Sequence, residues 1–350
     1  MTVTPHHRRI ASLLAAGVVV AAGITGLVAR AAAADPVLPP LTPAELLTRV
    51  AQARPAGLSA TFEQRSDLGL PALPTVSGSG GDDLQSALAM LTGNHTVRVW
   101  MAGTDHVRVA LVDGSTETSA IRNGDQFWLW SSEKQQARHA TLKAGEQPTA
   151  TPLSPTEAVQ RLLAAVGPST EVTTSGTGTV AGRSVYQLVL TPKDNASLVG
   201  QVRISVDATE FVPLAARVIA GDGSDAITVT ATSVDFSRPD SSIFAFTPPP
   251  GAEVSELKPP DKSAEQPAKT GPKPTVVGSG WTTVAVAKLD TAKPDQTVTA
   301  LLKSLPEVSG SWGHGRLLST TLVNAVITDD GRVAVGSVTP ERLYAALAKK

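Results

Sequence analysis

The sequence contains no cysteine among its 350 residues. Disulfide bonds, thiolate metal ligands, a cysteine nucleophile and an acylated lipobox cysteine are therefore excluded, and the fold must depend on ordinary packing. An excess of one charge is missing too, since 30 basic residues stand against 31 acidic ones. No basic stripe stands out from the whole, so nothing in the sequence attracts nucleic acid electrostatically.

The usual signatures of catalysis are also missing. The chain has no G-x-S-x-G elbow, no G-x-x-x-x-G-K-[ST] loop, no H-E-x-x-H pair and no G-x-G-x-x-G after a strand. Its six histidines are never at metal-ligand spacing with a partner. His95 and His106 begin adjacent predicted strands and can form either a zinc site or a solvated pair at a strand edge. We predict a protein that is not an enzyme and needs no cofactor or metal.

The amino terminus carries the strongest local signal. A basic stretch at residues 6–9 precedes an uncharged run over residues 10–29, which is the pattern of a secretory signal. The run is long enough to cross a bilayer, yet small residues before Asp35 offer an A-x-A cleavage site near Ala34. We predict that residues 1–34 export the chain, either as a cleaved signal peptide or as a retained anchor on the outer side of the cytoplasmic membrane.

Composition divides the remaining chain into two predicted domains. Residues 251–280 are rich in Pro, Lys, Ser, Thr and Gly, and such a stretch buries too little apolar surface to order itself. We predict an extended linker there. It joins a first domain over residues 41–250 to a second domain over residues 281–350.

The first domain is predicted to combine helices with a wide sheet. Capping boxes begin helices at Thr42-Pro43-Ala44-Glu45 and at Ser154-Pro155-Thr156-Glu157. A third helix, Asp83 to Leu91, follows a glycine-rich approach and is either a mobile flap or an insertion packed on the surface. Elsewhere apolar residues alternate with period two, which indicates about ten antiparallel strands. Since a sheet this wide curls or closes, we expect a strongly curved sheet around helices.

The second domain has the pattern of a small α+β unit. We predict a strand from Thr282 to Ala287, a helix near residues 298–304 and two strands that meet at the Asp330-Gly331 turn. A last helix is capped at Thr339-Pro340-Glu341.

Four stretches of the first domain resemble the LolA/LolB superfamily, which includes periplasmic lipoprotein carriers and RseB/MucB-type regulators of envelope-stress sigma factors. The similar stretches are LSATFEQ at 58–64, NGDQFWLW at 123–130, QQAR at 135–138 and IFAFTPPPGA at 243–252. The second domain is similar to the tail of actinobacterial RseB-type proteins. The resemblance implies a mainly β fold with α (α+β), in which a curved antiparallel half-barrel encloses helices.

The strands and helices of this fold define a predicted ligand cavity. Residues that share one strand face and belong to strands curling around the same helices are its candidate lining: Phe62, Val99, Val109, Leu111, Phe127 and Leu129. Trp128 and Trp130 lie on the other face of the same aromatic strand. Because this strand has apolar residues on both faces, either both faces are covered by other parts of the protein or one of them binds an apolar ligand.

Two functions are compatible with these predictions. The first is a carrier or envelope sensor that binds the acyl chain of a lipid or lipoprotein in an apolar cavity. The alternative is a regulatory protein that binds a membrane-bound anti-sigma factor, as the resemblance implies, with lipid binding absent or only gating. The second domain offers one candidate binding loop, which contains Trp312, His314 and Arg316. A turn that needs the backbone freedom of glycine explains this stretch equally well.

The export prediction is tested by deleting residues 1–34, which should leave a folded, soluble protein in the cytoplasm because both domains lie beyond the deletion. Amino-terminal sequencing of the native protein then distinguishes the two forms. A chain that starts at Asp35 is released, whereas an intact terminus is an anchor. Export of the deleted chain to the same compartment would contradict the prediction.

Overall fold

A computed structural model describes residues 36–69, 93–142, 167–257, 274–288 and 304–349, together with positions 157, 160, 161, 164 and 302. The helices with described bounds are α1 (Pro43–Gln52) and α2 (Pro340–Ala348). The strands of the first domain are β1 (Leu58–Ser66), β2 (Gly93–Met101), β3 (His106–Asp113), β4 (Thr116–Asn123), β5 (Gln126–Ser131), β6 (Gln136–Thr141), β7 (Thr170–Val180), β8 (Arg183–Pro192), β9 (Val199–Asp207), β10 (Pro213–Ala220), β11 (Asp225–Asp235) and β12 (Glu253–Glu256). Those that follow are β13 (Thr275–Val277), β14 (Val284–Lys288), β15 (Glu307–Gly310), β16 (Gly313–Ser319), β17 (Asn324–Thr328) and β18 (Arg332–Gly336).

The first domain is one wide sheet with the strand order β12-β6-β5-β4-β3-β2-β1-β11-β10-β9-β8-β7. All neighbours are antiparallel except β12, which pairs parallel with β6. Strands β7 and β11 would lie about 19 Å apart in a flat sheet, because four strand spacings separate them. Their Cα atoms nevertheless approach within 8 Å, so the sheet curls strongly. The predicted curved, mainly β half-barrel is confirmed, with twelve strands instead of about ten.

Helix α1 begins as its sequence predicts. The Thr42 hydroxyl accepts a hydrogen bond from the backbone N–H of Glu45, and the Glu45 carboxylate accepts one from the backbone N–H of Thr42 at 2.8 Å. Leu46 and Val50 are fully buried on one side of the helix and belong to a cluster with Leu188 and other apolar residues of β8 and β9. Burial of each such side chain contributes roughly 1.5–3 kcal/mol, so this contact fixes α1 on the sheet.

The second domain is a six-stranded sheet with the order β13-β14-β18-β17-β16-β15 and α2 packed against it. Leu343 and Leu347 of α2 are buried in a cluster with Val326, Ala334 and Trp312. The predicted turn at Asp330-Gly331 joins β17 to β18. The predicted strand at 282–287 begins later, at Val284, because residues 280–282 form a short 3-10 turn.

The two domains contact each other through backbone and side chains. The N–H of Leu198 donates to the carbonyl of Ser337 at 3.0 Å, and the N–H of Thr339 donates to the carbonyl of Ala196 at 2.9 Å. Leu322 of the second domain belongs to the same apolar cluster as α1. The second domain therefore completes part of the core of the first.

Parts of several predictions lie outside the described residues. These are the export segment at 1–34, the helix at 83–91, the middle of the linker at 258–273 and, apart from positions 302 and 304, the helix near 298–304. Of the predicted helix that begins at Ser154, positions 157, 160, 161 and 164 are described and are helical. The ends of the predicted linker take part in the two sheets as β12 and β13.

The turn between β9 and β10 is built around a buried carboxylate. Asp207 is almost fully buried and lies 2.5 Å from the guanidinium of Arg183, which is about a third exposed. Burial raises the pKa of Asp207, but hydrogen bonds from Arg183 and from the N–H groups of Glu210 and Thr209 outweigh it, so the pKa lies below its usual value. The ionised carboxylate thus stabilises the fold above about pH 4, and this stabilisation is lost as the pH falls through the lowered pKa.

Replacement of this carboxylate should have a pH-dependent cost. We expect Asp207→Asn to lower the free energy of unfolding by about 2 kcal/mol at pH 7, because it removes the charge that compensates Arg183. The difference from the unsubstituted protein should shrink below about pH 4. Denaturant unfolding at both pH values measures it, with Asp225→Asn as control, since the exposed Arg217–Asp225 pair contributes less than about 1 kcal/mol. An equal loss at both pH values would contradict the account.

Candidate ligand-binding face

The six predicted lining residues lie on one face of β1, β2, β3 and β5. Directly paired residues of neighbouring strands project to the same side of a sheet. Val99 pairs with Val109, Val109 with Ala120, and Ala120 with Leu129, so a continuous apolar row crosses four strands. We call this side of β1–β6 the apolar face. The remaining predicted residues, Phe62, Leu111 and Phe127, lie on it by the same pairing.

Burial divides the six residues into two groups. Phe62, Val99 and Phe127 are buried, whereas Val109, Leu111 and Leu129 are only half-buried. A half-buried apolar row beside a buried one is compatible both with a filled core and with a site that a ligand completes.

The apolar row ends at a positive charge. Arg138 of β6 pairs directly with Leu129 and is exposed. A second arginine lies on the same face. Arg122 of β4 pairs with Phe127, two residues before Leu129, and lies 2.9 Å from Asp105. An elongated apolar surface that ends in a guanidinium is chemically suited to an amphiphile, because the two ends of such a molecule need different surroundings.

The opposite face of β3–β6 is covered by the chain itself. Phe246 contacts both Trp128 and Trp130, with ring centroids 5.4 and 5.8 Å apart. Phe244 is fully buried and contacts His106 at 5.7 Å. The segment that closes the first domain therefore occupies the face that carries the two tryptophans.

The predicted meeting of His95 and His106 is wrong. His106 pairs with Asn123 and contacts Phe244 on the covered face. His95 lies at the other end of the β2–β3 hairpin, is buried on the apolar face and pairs with the buried Gln64. Antiparallel pairing separates them because each begins its strand, and beginnings of adjacent antiparallel strands lie at opposite ends. Within the described residues, no group of three or more His, Cys, Asp and Glu side chains is arranged to hold a metal ion.

The predicted loop of the second domain is wrong for two of its three residues, because His314 and Arg316 belong to strand β16 and only Trp312 lies in the turn before it. Trp312 is buried and stacks on Tyr344, with ring centroids 5.4 Å apart. Arg316 donates to the carbonyl of Leu305 at 2.9 Å and to the Glu307 carboxylate at 2.6 Å. His314 is exposed. Packing and hydrogen bonding thus account for the tryptophan and the arginine.

Two pockets among the described residues are polar, and sequence reasoning did not predict them. One, of about 310 Å³, is lined by Ser175, Gly176, Thr177, Gln187, Arg203, Ser205, Ala215, Ala216 and Arg217. The other, an open groove of about 850 Å³, is lined by Glu63, Arg65, Ser66, Asp67, Gly93, Asn94, Arg217, Asp225, Thr228 and Thr230. Neither contains a predicted lining residue. Their residues are brought together by strand register, which leaves no local signal in the sequence.

No protein-family model matches this chain, and no curated protein matches it in sequence. Solved structures similar to it include the MucA/MucB complex of Pseudomonas aeruginosa, with 15% identity, a TM-score of 0.46, and coverage of 87% of this chain and 96% of that one. A structure of MucB has 16% identity, a TM-score of 0.42 and coverage of 87% and 95%. A LolA superfamily protein from Nitrosomonas europaea has 10% identity, a TM-score of 0.23 and coverage of 59% and 99%. The groups that the sequence motifs resemble are thus among its structural neighbours.

Within the parts of the chain that the structure describes, no helix combines the length and apolarity needed to span a bilayer.

Proposed function

We propose that this protein binds the acyl chain of a lipid or lipoprotein outside the cytoplasm and acts as a carrier or envelope sensor. The proposal depends on one observation, the half-buried apolar row from Val109 to Leu129 that ends at the exposed Arg138. An acyl chain fits the apolar row, and the anionic or polar end of the same molecule fits the guanidinium. The covered face cannot serve, because Phe244 and Phe246 occupy it.

A sensor needs a route from the first domain to the second, and the contact between the two domains supplies one. Leu322 of the second domain is packed into the cluster of α1 and β8–β9, so a change in the packing of α1 reaches the second domain through direct contact. The sequence resemblance to RseB/MucB-type regulators suggests a membrane-bound anti-sigma factor as the protein partner. In this second candidate function, the partner binds the second domain and the lipid only changes its affinity.

A charge placed within the apolar row tests the proposal. Leu129→Glu introduces a carboxylate beside Arg138, which offers a counter-ion at the rim of the apolar face. If the face binds a ligand, we expect the protein to remain folded and to lose at least about tenfold in affinity for a fluorescent fatty acid, because a bound acyl chain would strip water from the carboxylate. Circular dichroism melts and fluorescence titration measure the two effects.

Thr61→Glu is the matched control, since Thr61 is half-buried on the other face of β1, directly opposite Arg98. It should change neither stability nor affinity appreciably. If Leu129→Glu instead destabilises the domain by several kcal/mol, the face is a filled core. A folded, unsubstituted protein that takes up no lipid or lipopeptide of any chain length would contradict acyl binding and leave the partner-binding function.

A further inference from the structure

The smaller polar pocket has the chemistry of an anion site. Its lining belongs to β7, β8, β9 and β10, and its volume of about 310 Å³ is at the lower end of the range for small-molecule sites. Arg203 and Arg217 supply two guanidinium groups, and Gln187 and Ser205 add neutral hydrogen-bonding groups. Guanidinium groups with amide and hydroxyl donors are the usual partners of phosphate.

Only one of the two arginines has a carboxylate partner among the described residues. Arg203 and Arg217 are exposed and directly opposite each other on β9 and β10, a pairing of like charges that destabilises a sheet. Arg217 has a carboxylate partner, Asp225, at 2.5 Å. Arg203 donates to the neutral side chain of Gln201 at 2.6 Å and forms no ion pair with any described residue. Together with Asp225, the pocket therefore keeps a net positive charge.

The open groove beside the pocket is less suited to an anion. It shares Arg217 and Asp225 with the pocket's surroundings and adds Arg65, but also Glu63 and Asp67. Two carboxylates against one further guanidinium make that groove unfavourable for negative charge. An anion is therefore expected to bind in the smaller pocket, which contains Arg203, and not in the open groove.

The chain arrives from its amino terminus at the same edge strand, β7, but on the side of the sheet opposite to Arg203 and Arg217. Thr177 lines the pocket, and its hydroxyl donates to the carbonyl of Pro36 at 2.6 Å. Next to it, the Tyr186 hydroxyl donates to the carbonyl of Pro39 at 3.0 Å. Six residues, 30–35, separate this docked segment from the end of the uncharged run at Ala29. They span at most about 20 Å when fully extended.

We propose that the Arg203–Arg217 pocket binds the phosphate group of an anionic phospholipid in the membrane that retains residues 10–29 as an anchor. The short tether keeps the β7 edge near the bilayer, and an anionic headgroup at that surface supplies the missing negative charge to the pocket beside this edge. Such a contact orients the domain, with the β7 edge toward the membrane. This inference concerns a different face of the sheet from the acyl-chain proposal and does not depend on it.

Hydrogen exchange of the full-length chain in lipid nanodiscs tests the proposal. Strand β7 is the edge of the sheet, so the amides of its residues 175–177 report directly on what covers the pocket. We expect them to exchange at least about fivefold more slowly in phosphatidylglycerol nanodiscs than in phosphatidylcholine nanodiscs. Arg203→Gln with Arg217→Gln should abolish that difference.

Arg98→Gln with Arg238→Gln is the matched control, because it removes the same two charges from exposed positions outside the pocket and should leave the difference intact. Equal exchange in the two lipids, or an unchanged difference in the double variant, would overturn the proposal. So would full protection by inorganic phosphate added to phosphatidylcholine nanodiscs, since the pocket would then take free phosphate without a membrane.

Discussion

Apolar side chains on both faces of the same strands are the constraint on which the rest of this structure depends. The aromatic strand β5 carries Phe127 and Leu129 on one side and two tryptophans on the other, so each face has to be covered by something different. Phe244 and Phe246 cover the tryptophan side. Helix α1 and Leu322 of the second domain cover the apolar residues of β8 and β9. The row from Val109 to Leu129 stays half-buried, and it is the surface that we propose for a ligand.

Capping residues and the alternation of apolar residues correctly predicted those helices and strands whose apolar side chains are buried in the structure. The capping box at Thr42 begins α1, and the alternation of Leu58, Ala60 and Phe62 gives a strand whose alternate residues are buried. Strand β7 has no such signal, because Thr, Ser and Gly fill most of its eleven residues and a register shift falls between Thr174 and Thr177. Its place is fixed by hairpin pairing with β8 and by the docked amino-terminal segment, and the second of these is a long-range contact.

The candidate sites differ in the same way. One face of a strand can be predicted from alternation, and the six predicted lining residues do lie on one side of the sheet. The Arg203–Arg217 pocket depends on the register of β9 with β10 and on the curl that brings β7 toward β11. Likewise, Trp312 is buried against Tyr344 because α2 packs on the second sheet. The glycines beside Trp312 in the sequence give no sign of this burial.

We propose that the apolar face carries an acyl chain in the native envelope. The most direct test of this proposal is mass spectrometry of the lipids extracted from the full-length protein after purification from that envelope, compared with Leu129→Glu purified in parallel. We expect one class of acyl-bearing molecule to accompany the unsubstituted protein in near-stoichiometric amount and to be depleted in the variant. Equal lipid content in both proteins, or none in either, would contradict it.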